Sequence, residues 1–470
     1  MEQPIKDTEE FRNKVANISE SGSRIWIYPR KPKGKYYTKR KIFSYFLLIA
    51  LFGLPFIKYD GKPFVLFNFL ERQFIIFGLH FTPEDFFLFA LAMLTFIVFI
   101  ILFTVIFGRV FCGWMCPQTI FMEMVFRRIE YAIEGDNKAQ IKLNKAPWDR
   151  SKIIKKTLKH TIFVIISLLI ANTFLAYIIG LDNVVKIVSE PISQHIQGFI
   201  AMILFTAAFY GVFAFFREQV CTNVCPYGRL QGVMLDKNSI VVSYDNVRGE
   251  PRGKKSKKAA DNLGDCIDCK LCVQVCPTGI DIRNGTQLEC VNCTACMDAC
   301  DEVMTKISRP TGLIRYDSLA GIEEKRGKLF TGRVWGYTAV LSLLIGVNVF
   351  LFATRSDVDT LILKSRGTRF IEVDAEHISN VYDFEINNKT NTDLPIEFKV
   401  VGGFDHGNAV VEIIGNKHPI AKANDKVSGK FFIKATKSDI EKRKSKVLIE
   451  VYSDGKLVDK TKTNFLGPEK

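Results

Sequence analysis

Residues 266–277 read CIDCKLCVQVCP, and residues 290–301 read CVNCTACMDACD. Each is C-x2-C-x2-C-x3-C, followed by Pro277 in the first case and by Asp301 in the second. A 4Fe-4S cubane needs one thiolate for each of its irons. Three cysteines spaced by two residues wrap one corner, and the fourth comes from the other half of the repeat. The spacing thus assigns Cys266, Cys269, Cys272 and Cys300 to one cluster, and Cys290, Cys293, Cys296 and Cys276 to the other. Structural zinc also uses C-x2-C pairs, but it gives no reason for the three-residue gap before the last cysteine of each group. Crossed ligation predicts two clusters close enough for electrons to hop between them. Pro277 is expected to stiffen the turn after its ligand. Asp301 at the matching position puts the rigidity of the second turn in question, not its ligands.

Working outward, the other four of the 12 cysteines form two matching pairs. Residues 111–117 read FCGWMCP and residues 220–226 read VCTNVCP, with Arg109 and Arg217 a few residues ahead of them. On a helix, Cys112 and Cys116, like Cys221 and Cys225, would share a face. The proline after each pair equally allows a turn. Buried cysteines often act merely as small hydrophobes, yet a spacing repeated beside two apolar stretches argues for a redox or metal role. The pairs are expected to converge into one four-thiol site, suited to copper, zinc or further iron–sulfur chemistry. Lowered thiolate pKa values beside Arg109 and Arg217 would help it. Met115, Met122, Met124 and Met234 are nearby thioethers, although methionines at such places more often pack.

Four uncharged stretches of about 20 residues are long enough to cross a bilayer as helices: 86–107, 161–181, 197–216 and 334–354. A fifth, Ile42–Ile57, is shorter and carries Pro55, with Lys41 and Lys58 placed to snorkel. The Phe-rich run 64–81, split by Glu71 and Arg72, reads as interfacial. Seven Lys or Arg crowd residues 30–41 and eleven fall in 108–160, against three in 58–85 and Lys186 alone in 182–196. The positive-inside rule then puts the N-terminus, the 108–160 loop and the 217–333 segment in the cytoplasm, and the C-terminal region in the periplasm. Each pair of helices with its thiol pair reads as a duplicated unit.

The net charge of +15 follows from the same bias, so nucleic acid is not an expected partner. Cysteines clustered at ligand spacings imply metal in a reducing compartment, not a disulfide framework. The first apolar stretch follows a long charged segment and should act as an anchor, not a cleavable signal.

From residue 355 onward the pattern changes to short alternating strands: 381–386, 396–401, 409–414, 430–433 and 447–451. Asn387-Asn388, Gly402-Gly403 and Asp454-Gly455 supply turn signals between them. This fits an immunoglobulin-like β-sandwich without its disulfide. It has no Cys or Met; His377, His406 and His418 are isolated and read as surface residues, so docking a partner is the better expectation. The chain thus reads as a multi-domain membrane protein: a basic segment (1–41), a four-span core (42–235), a two-cluster ferredoxin-like domain (236–333), a fifth helix (334–354) and a sandwich (355–470).

The residues FCGWMCPQTIFMEMVFRRIE, VCTNVCPYGRLQGVM, the cysteine block 266–300 with DEV after it, and PTGLIRYDS (310–318) together resemble the cytochrome c oxidase accessory family CcoG, also called FixG or RdxA. The resemblance implies a membrane polyferredoxin with two 4Fe-4S clusters that acts in building the cbb(3)-type oxidase of the bacterial inner membrane. It further implies reduction of Cu(II) to Cu(I), with Cys112, Cys116, Cys221 and Cys225 at the copper or redox site. The expected partners are oxidase subunits or copper-handling assembly factors and a cytoplasmic electron donor. An Asp after the last ligand is usual in that family. Two alternatives stand beside a cupric reductase: a quinol dehydrogenase-type subunit feeding a periplasmic reductase, and a structural assembly scaffold. The absence of Cys-x-x-Cys-His excludes a covalent haem relay. Oligomeric state, a homodimer included, is left open.

Overall fold

The computed structural model describes residues 21, 23–59, 61–70, 73–81, 85–253, 263–325, 329–367, 369–390, 392–402, 409–415, 418–423, 425–440 and 443–468. It divides into two compact units. One takes the chain up to Ile57, Val65–Asn68 and Ala90–Gly346; the other takes Lys58–Phe64, Phe69–Phe89 and Val347–Lys470.

Among the described residues, four helices have the length and apolarity to cross a membrane: Phe86–Phe107, Arg150–Ile179, Ile196–Phe216 and Gly332–Ala353. Apart from a buried stripe on Arg150–Ile179 and the end of Ile196–Phe216, their apolar side chains mostly face outward. Only 6% of the most apolar window of Phe86–Phe107 is buried, and Phe96, Phe99, Leu204 and Leu343 are exposed. Such a greasy exterior suits lipid, not water. The second of these helices begins 11 residues before the predicted 161. Asp149 caps it by accepting from the Lys152 N–H at 2.8 Å, and Gly180, at φ 86°, ends it. The Ile42–Ile57 stretch is the end of a helix, Lys35–Gly53, followed by a 3₁₀ turn at Leu54–Phe56. Its uncharged helical part covers only ~18 Å at 1.5 Å per residue, which is why it stands apart from the other four.

The first unit is pinned by aromatic packing. Phe126 stacks on Phe213 (centroids 4.5 Å apart) and meets Phe163 edge-on at 4.8 Å. The segment after the first thiol pair is thereby tied to both central helices. Beside this core, a two-stranded antiparallel sheet (Val241–Tyr244 against Ile314–Asp317) and the helices Leu271–Gln274 and Ala295–Lys306 carry the cysteine block.

In the second unit, the Phe-rich run contributes strands Gln73–Ile76 and Leu79–Phe81, paired antiparallel; Glu71 and Arg72 lie outside the described residues. The C-terminal region is a sandwich of antiparallel sheets. One sheet orders Val410–Ile414, Lys426–Thr436, His377–Asn388 and Val358–Lys364, with Ile371–Glu372 added to His377–Asn388. The other orders Glu397–Val400, Lys444–Ser453 and Lys456–Leu466. Alternate residues of both sheets, Tyr382, Phe384, Phe431, Phe398, Val447 and Phe465 among them, fill the core. The Asp454-Gly455 turn forms as expected, both residues at positive φ. Asn387-Asn388 does not break its strand. Asn388 is fully buried, and its amide donates to the Thr392, Ala421 and Lys422 carbonyls, which makes it a strand-end anchor and not a turn. Two further strands, Val358–Lys364 and Lys456–Leu466, went unpredicted.

Candidate metal centre

The cysteine repeat reappears as a repeat in the backbone. Asp268 and Lys270 flank Cys269 at positive φ (51° and 56°); Asn292 and Thr294 flank Cys293 in the same way (52° and 66°). Asp and Asn tolerate this left-handed region better than most residues. The two left-handed steps curl each C-x2-C-x2-C run into an arc.

The arcs line two neighbouring cavities. Cys276, Cys290, Cys293 and Cys296 line one, walled by Val242, Ile280 and Ile282. Cys266, Cys269, Cys272 and Cys300 line the other, walled by Met304, Leu313 and Ile314. Cys272 borders both. The two sets of four match the crossed sets expected from the spacing. Among the described residues, no three His, Cys, Asp or Glu side chains converge tightly enough for a single metal ion. Burial pushes the free Cys290 thiol up to about 12 and Cys293 up to about 11, so ionising them requires positive charge close by.

That charge is present. Arg40, 2% exposed, donates from Nε to the Gly113 carbonyl at 2.6 Å, while its Nη2 has no hydrogen-bond partner and is buried. Its charge reaches Cys293. Arg109, 3% exposed, donates to Gln231 Oε1 at 3.1 Å and to the Leu288 carbonyl, and its charge reaches Cys290. Among the described residues neither has an ion-pair partner. A buried cation without a counter-charge costs several kcal/mol; an anionic cluster with four thiolates beside both would supply it. The donor set therefore fits the group that the spacing implies.

The second turn departs from expectation. Asp301 lies within the Ala295–Lys306 helix, not in a turn, and its Oδ1 accepts from the Gly312 N–H at 2.8 Å. Proline would break that helix by lacking the N–H, so its loss here keeps the helix whole. Two residues before Cys300, Asp298 accepts from the Tyr36 and Tyr37 N–H groups at 3.1 and 2.7 Å, capping the Lys35–Gly53 helix. The strand-like stretch before that helix also lies on the cysteine block, with the Arg30 N–H donating to the Gln274 carbonyl at 2.7 Å.

The two thiol pairs share one local geometry. Cys116 (φ −62°, ψ 124°) and Cys225 (φ −70°, ψ 111°) are extended N-caps of helices that begin with proline. The Cys116 N–H donates to the Phe111 carbonyl at 3.0 Å and the Cys225 N–H to the Val220 carbonyl at 2.8 Å. Aligned on the cysteines, the partner of Arg217 is Gly108, not Arg109, and both stand at φ 55°. The expectation of matched arginines is thus corrected. Arg217 is neutralised by Glu130 at 2.8 Å, within a buried network where Arg127 meets Glu123 at 2.7 Å. Arg217 shares a cavity with Cys221, but the charge that acts on the thiols is that of Arg109, and it does not win: burial pushes Cys112 up to about 11 and Cys221 up to about 12. The predicted low thiolate pKa values are not found at Cys112 and Cys221.

The structure brings the pairs together and onto the cluster cavity. Cys112 Sγ donates to Gln231 Oε1 at 3.0 Å, and Cys112 packs in one cluster with Val275, Val291, Cys293 and Ala295. A side chain at Gly113 would collide with the Val291 carbonyl and the Asn292 backbone; only glycine lets this turn approach so closely. On the other side, Cys221 lines a cavity with Thr278 and Val291, residues that also wall the Cys290 cavity. Of the methionines, Met122 borders the Cys221 cavity, Met124 is buried, Met234 packs against Leu102 and Val105, and Met115 is 43% exposed. His377 hydrogen-bonds Asp374 at 2.8 Å, and His406 lies outside the described residues. Sequence reasoning counted Arg40 only as one of many basic residues and missed Gln231 and Asp298; nothing in local spacing marks them.

Three family models match the chain: a 4Fe-4S dicluster domain over 216–319, a 4Fe-4S binding domain over 89–133, and the IG-like fold at the C-terminal of FixG over 348–468. The first two take in every cysteine. The chain is 34% identical to protein RdxA of Cereibacter sphaeroides, covering 81% of this chain and 83% of that one. It is 38% identical to the nitrogen fixation protein FixG of Rhizobium meliloti, over 63% and 57% of the two chains. A crystal structure of a FixG-related protein from Vibrio parahaemolyticus overlaps 24% of this chain and 97% of its own, at 13% identity and TM-score 0.20.

Proposed function

Because this chain belongs to the FixG/RdxA family of membrane ferredoxin-like proteins and is an iron–sulfur electron-transfer protein, we propose that it reduces Cu(II) to Cu(I) for assembly of a cbb(3)-type cytochrome c oxidase. In this reading Cys266, Cys269, Cys272 and Cys300 hold one 4Fe-4S cluster, and Cys276, Cys290, Cys293 and Cys296 hold the other. The clusters supply one-electron chemistry. Cys112, Cys116, Cys221 and Cys225 bind the copper substrate, which gains one electron originating from a cytoplasmic donor and becomes Cu(I), the state soft thiolates hold better than Cu(II).

The observation that carries this reading is the contact of the Cys112 turn with the Val291–Asn292 loop, between two cysteines of the buried cavity. Thiols that bind a redox metal gain from lying next to the electron store. The basic residues around 30–41 and 108–160 support a cytoplasmic cluster domain in the inner membrane, with the Lys35–Gly53 helix and the turn after it making the first of five crossings and the sandwich in the periplasm. Oxidase subunits or copper-handling factors are the partners this implies.

Protein isolated in detergent with its clusters intact should reduce Cu(II) when given a strong electron donor. The double variant Cys112→Ser/Cys116→Ser should lose copper turnover yet keep its cluster absorbance. Copper reduction at the normal rate by that variant would overturn the site assignment. Cluster oxidation by a quinone but not by Cu(II) would instead favour the quinol dehydrogenase reading.

A further inference from the structure

We propose that Arg40 and Arg109 set the reduction potential of the cluster at Cys276, Cys290, Cys293 and Cys296, raising it above that of its neighbour. The inference rests on the ligand assignment above but not on copper as the acceptor. Its consequence is direction: an electron entering the fold settles on the side that faces the Cys112 and Cys221 turns.

The two arginines approach from different parts of the chain. Arg40, on the Lys35–Gly53 helix, reaches the Gly113 carbonyl, and Gly113 lies against Val291 and Asn292. Arg109 stands just before the Val110–Trp114 turn and bonds the Leu288 carbonyl, two residues before Cys290. A Cβ at Gly228 would meet both Arg109 Nη2 and the Cys221 carbonyl, so the Arg109 guanidinium sits between the second thiol pair and the cluster loop. Both arginines are buried, and neither has an ion-pair partner among the described residues.

Several other arginines of this unit are matched by carboxylates. Arg127 and Arg217 pair with Glu123, Glu130 and Glu218. Arg283, which lines the Cys266 cavity, is held by Asp268 at 2.5 Å and Asp281 at 2.6 Å. Arg248 and Arg309 share Asp265. Carboxylates thus cancel Arg283 beside one cluster, where the remaining cation, Lys270, is exposed to solvent. Beside the other, Arg40 and Arg109 are buried, and the Glu123 charge that also reaches Cys293 is felt less than that of Arg40. Reduction adds a negative charge to an already anionic cluster. Net charge nearby and burial are the levers that move such potentials, and in a low-dielectric site an uncancelled cation acts strongly.

The test is potentiometry of the full-length, cluster-loaded protein in detergent, followed by electron paramagnetic resonance. Cys290→Ser identifies which signal belongs to the buried cluster. Arg40→Gln and Arg109→Gln should each lower that cluster's potential by the equivalent of a tenfold change in its one-electron equilibrium, ~59 mV, and leave the other cluster unmoved. Arg40→Lys and Arg109→Lys, which keep the charge, should restore most of it. Unchanged potentials in both Gln variants, an equal shift of both clusters, or Lys variants that fall as far as the Gln variants would overturn the proposal. Wild-type protein without iron and labile sulfide would overturn the ligand assignment instead, before any arginine is changed.

Discussion

The two cysteine arcs have the same backbone and opposite surroundings. Around Cys269 and around Cys293 the chain takes the same pair of left-handed steps, and each arc lines a cavity. Yet Cys269 is exposed, whereas Cys293 is buried. The first arc carries carboxylates that match its arginines; the second is faced by bare Arg40 and Arg109. A short repeat fixes how thiols are held. What the held group does is decided by residues that come from elsewhere in the chain.

The comparison is broken most drastically by removing the thiol that each arc lends to the other. Cys300→Ser should cost about half the iron, as one of two clusters fails to assemble. If the crossing is right, the surviving signal in Cys300→Ser still shifts when Arg109→Gln is added, and the surviving signal in Cys276→Ser does not. The opposite pattern would mean that each arc keeps its own four cysteines.

A paired cation gives the next largest effect, and a different one. Glu134 is buried and bridges Lys156 and Lys159, both at 2.9 Å. Burial pushes its carboxyl up, but the two lysines outweigh burial and hold it below the usual range. A depressed carboxylate stabilises the fold fully above its unfolded value of ~4.3, and that contribution is lost as pH falls through the folded value. Glu134→Gln leaves Lys156 unmatched at every pH and Lys159 with only its longer contact to Glu130, at 3.7 Å. Thermal unfolding in detergent should show a loss of about 3–5 kcal/mol near neutral pH, shrinking in acid, with both cluster potentials unchanged. Arg109→Gln should do the reverse: potential moves, stability less. A shift in potential in Glu134→Gln would mean that charge placement beside the cavity is not what tunes it.

Much of this was legible because the decisive signals are local. The cysteine spacings specify two sets of four, and uninterrupted runs such as 86–107 mark the membrane helices. The proline after each Cys-x3-Cys pair left a helix and a turn equally open, and the extended backbone at Cys116 and Cys225 settles it for the turn. The rest depends on contacts between distant residues. Arg40 and Cys293 lie far apart in sequence, so nothing distinguishes Arg40 from its six basic neighbours until the fold buries it. Arg217 looked like the counterpart of Arg109 because both precede a thiol pair, whereas the backbone pairs it with Gly108. Asn388 carried a turn signal that its buried amide hydrogen bonds override.

The finest distinction between the arcs concerns the residues after their second cysteines. Lys270 (φ 56°) and Thr294 (φ 66°) occupy equivalent left-handed positions and precede equivalent helices. For a residue with a Cβ this conformation costs roughly 1–2 kcal/mol, which glycine avoids, though glycine gives back ~0.5–1 kcal/mol through a more disordered unfolded chain. Lys270 is exposed, so Lys270→Gly loses little packing and should stabilise the protein by up to ~1 kcal/mol. Thr294 is 1% exposed, and its Oγ1 donates to the Cys293 carbonyl at 2.6 Å. Thr294→Gly forfeits that hydrogen bond, worth ~1 kcal/mol, along with buried contacts, and should be neutral or destabilising. Opposite signs in thermal unfolding of the loaded protein would confirm that one fold of backbone serves an open cluster and a closed one. Equal gains at both positions would show that the second arc is no more tightly enclosed than the first.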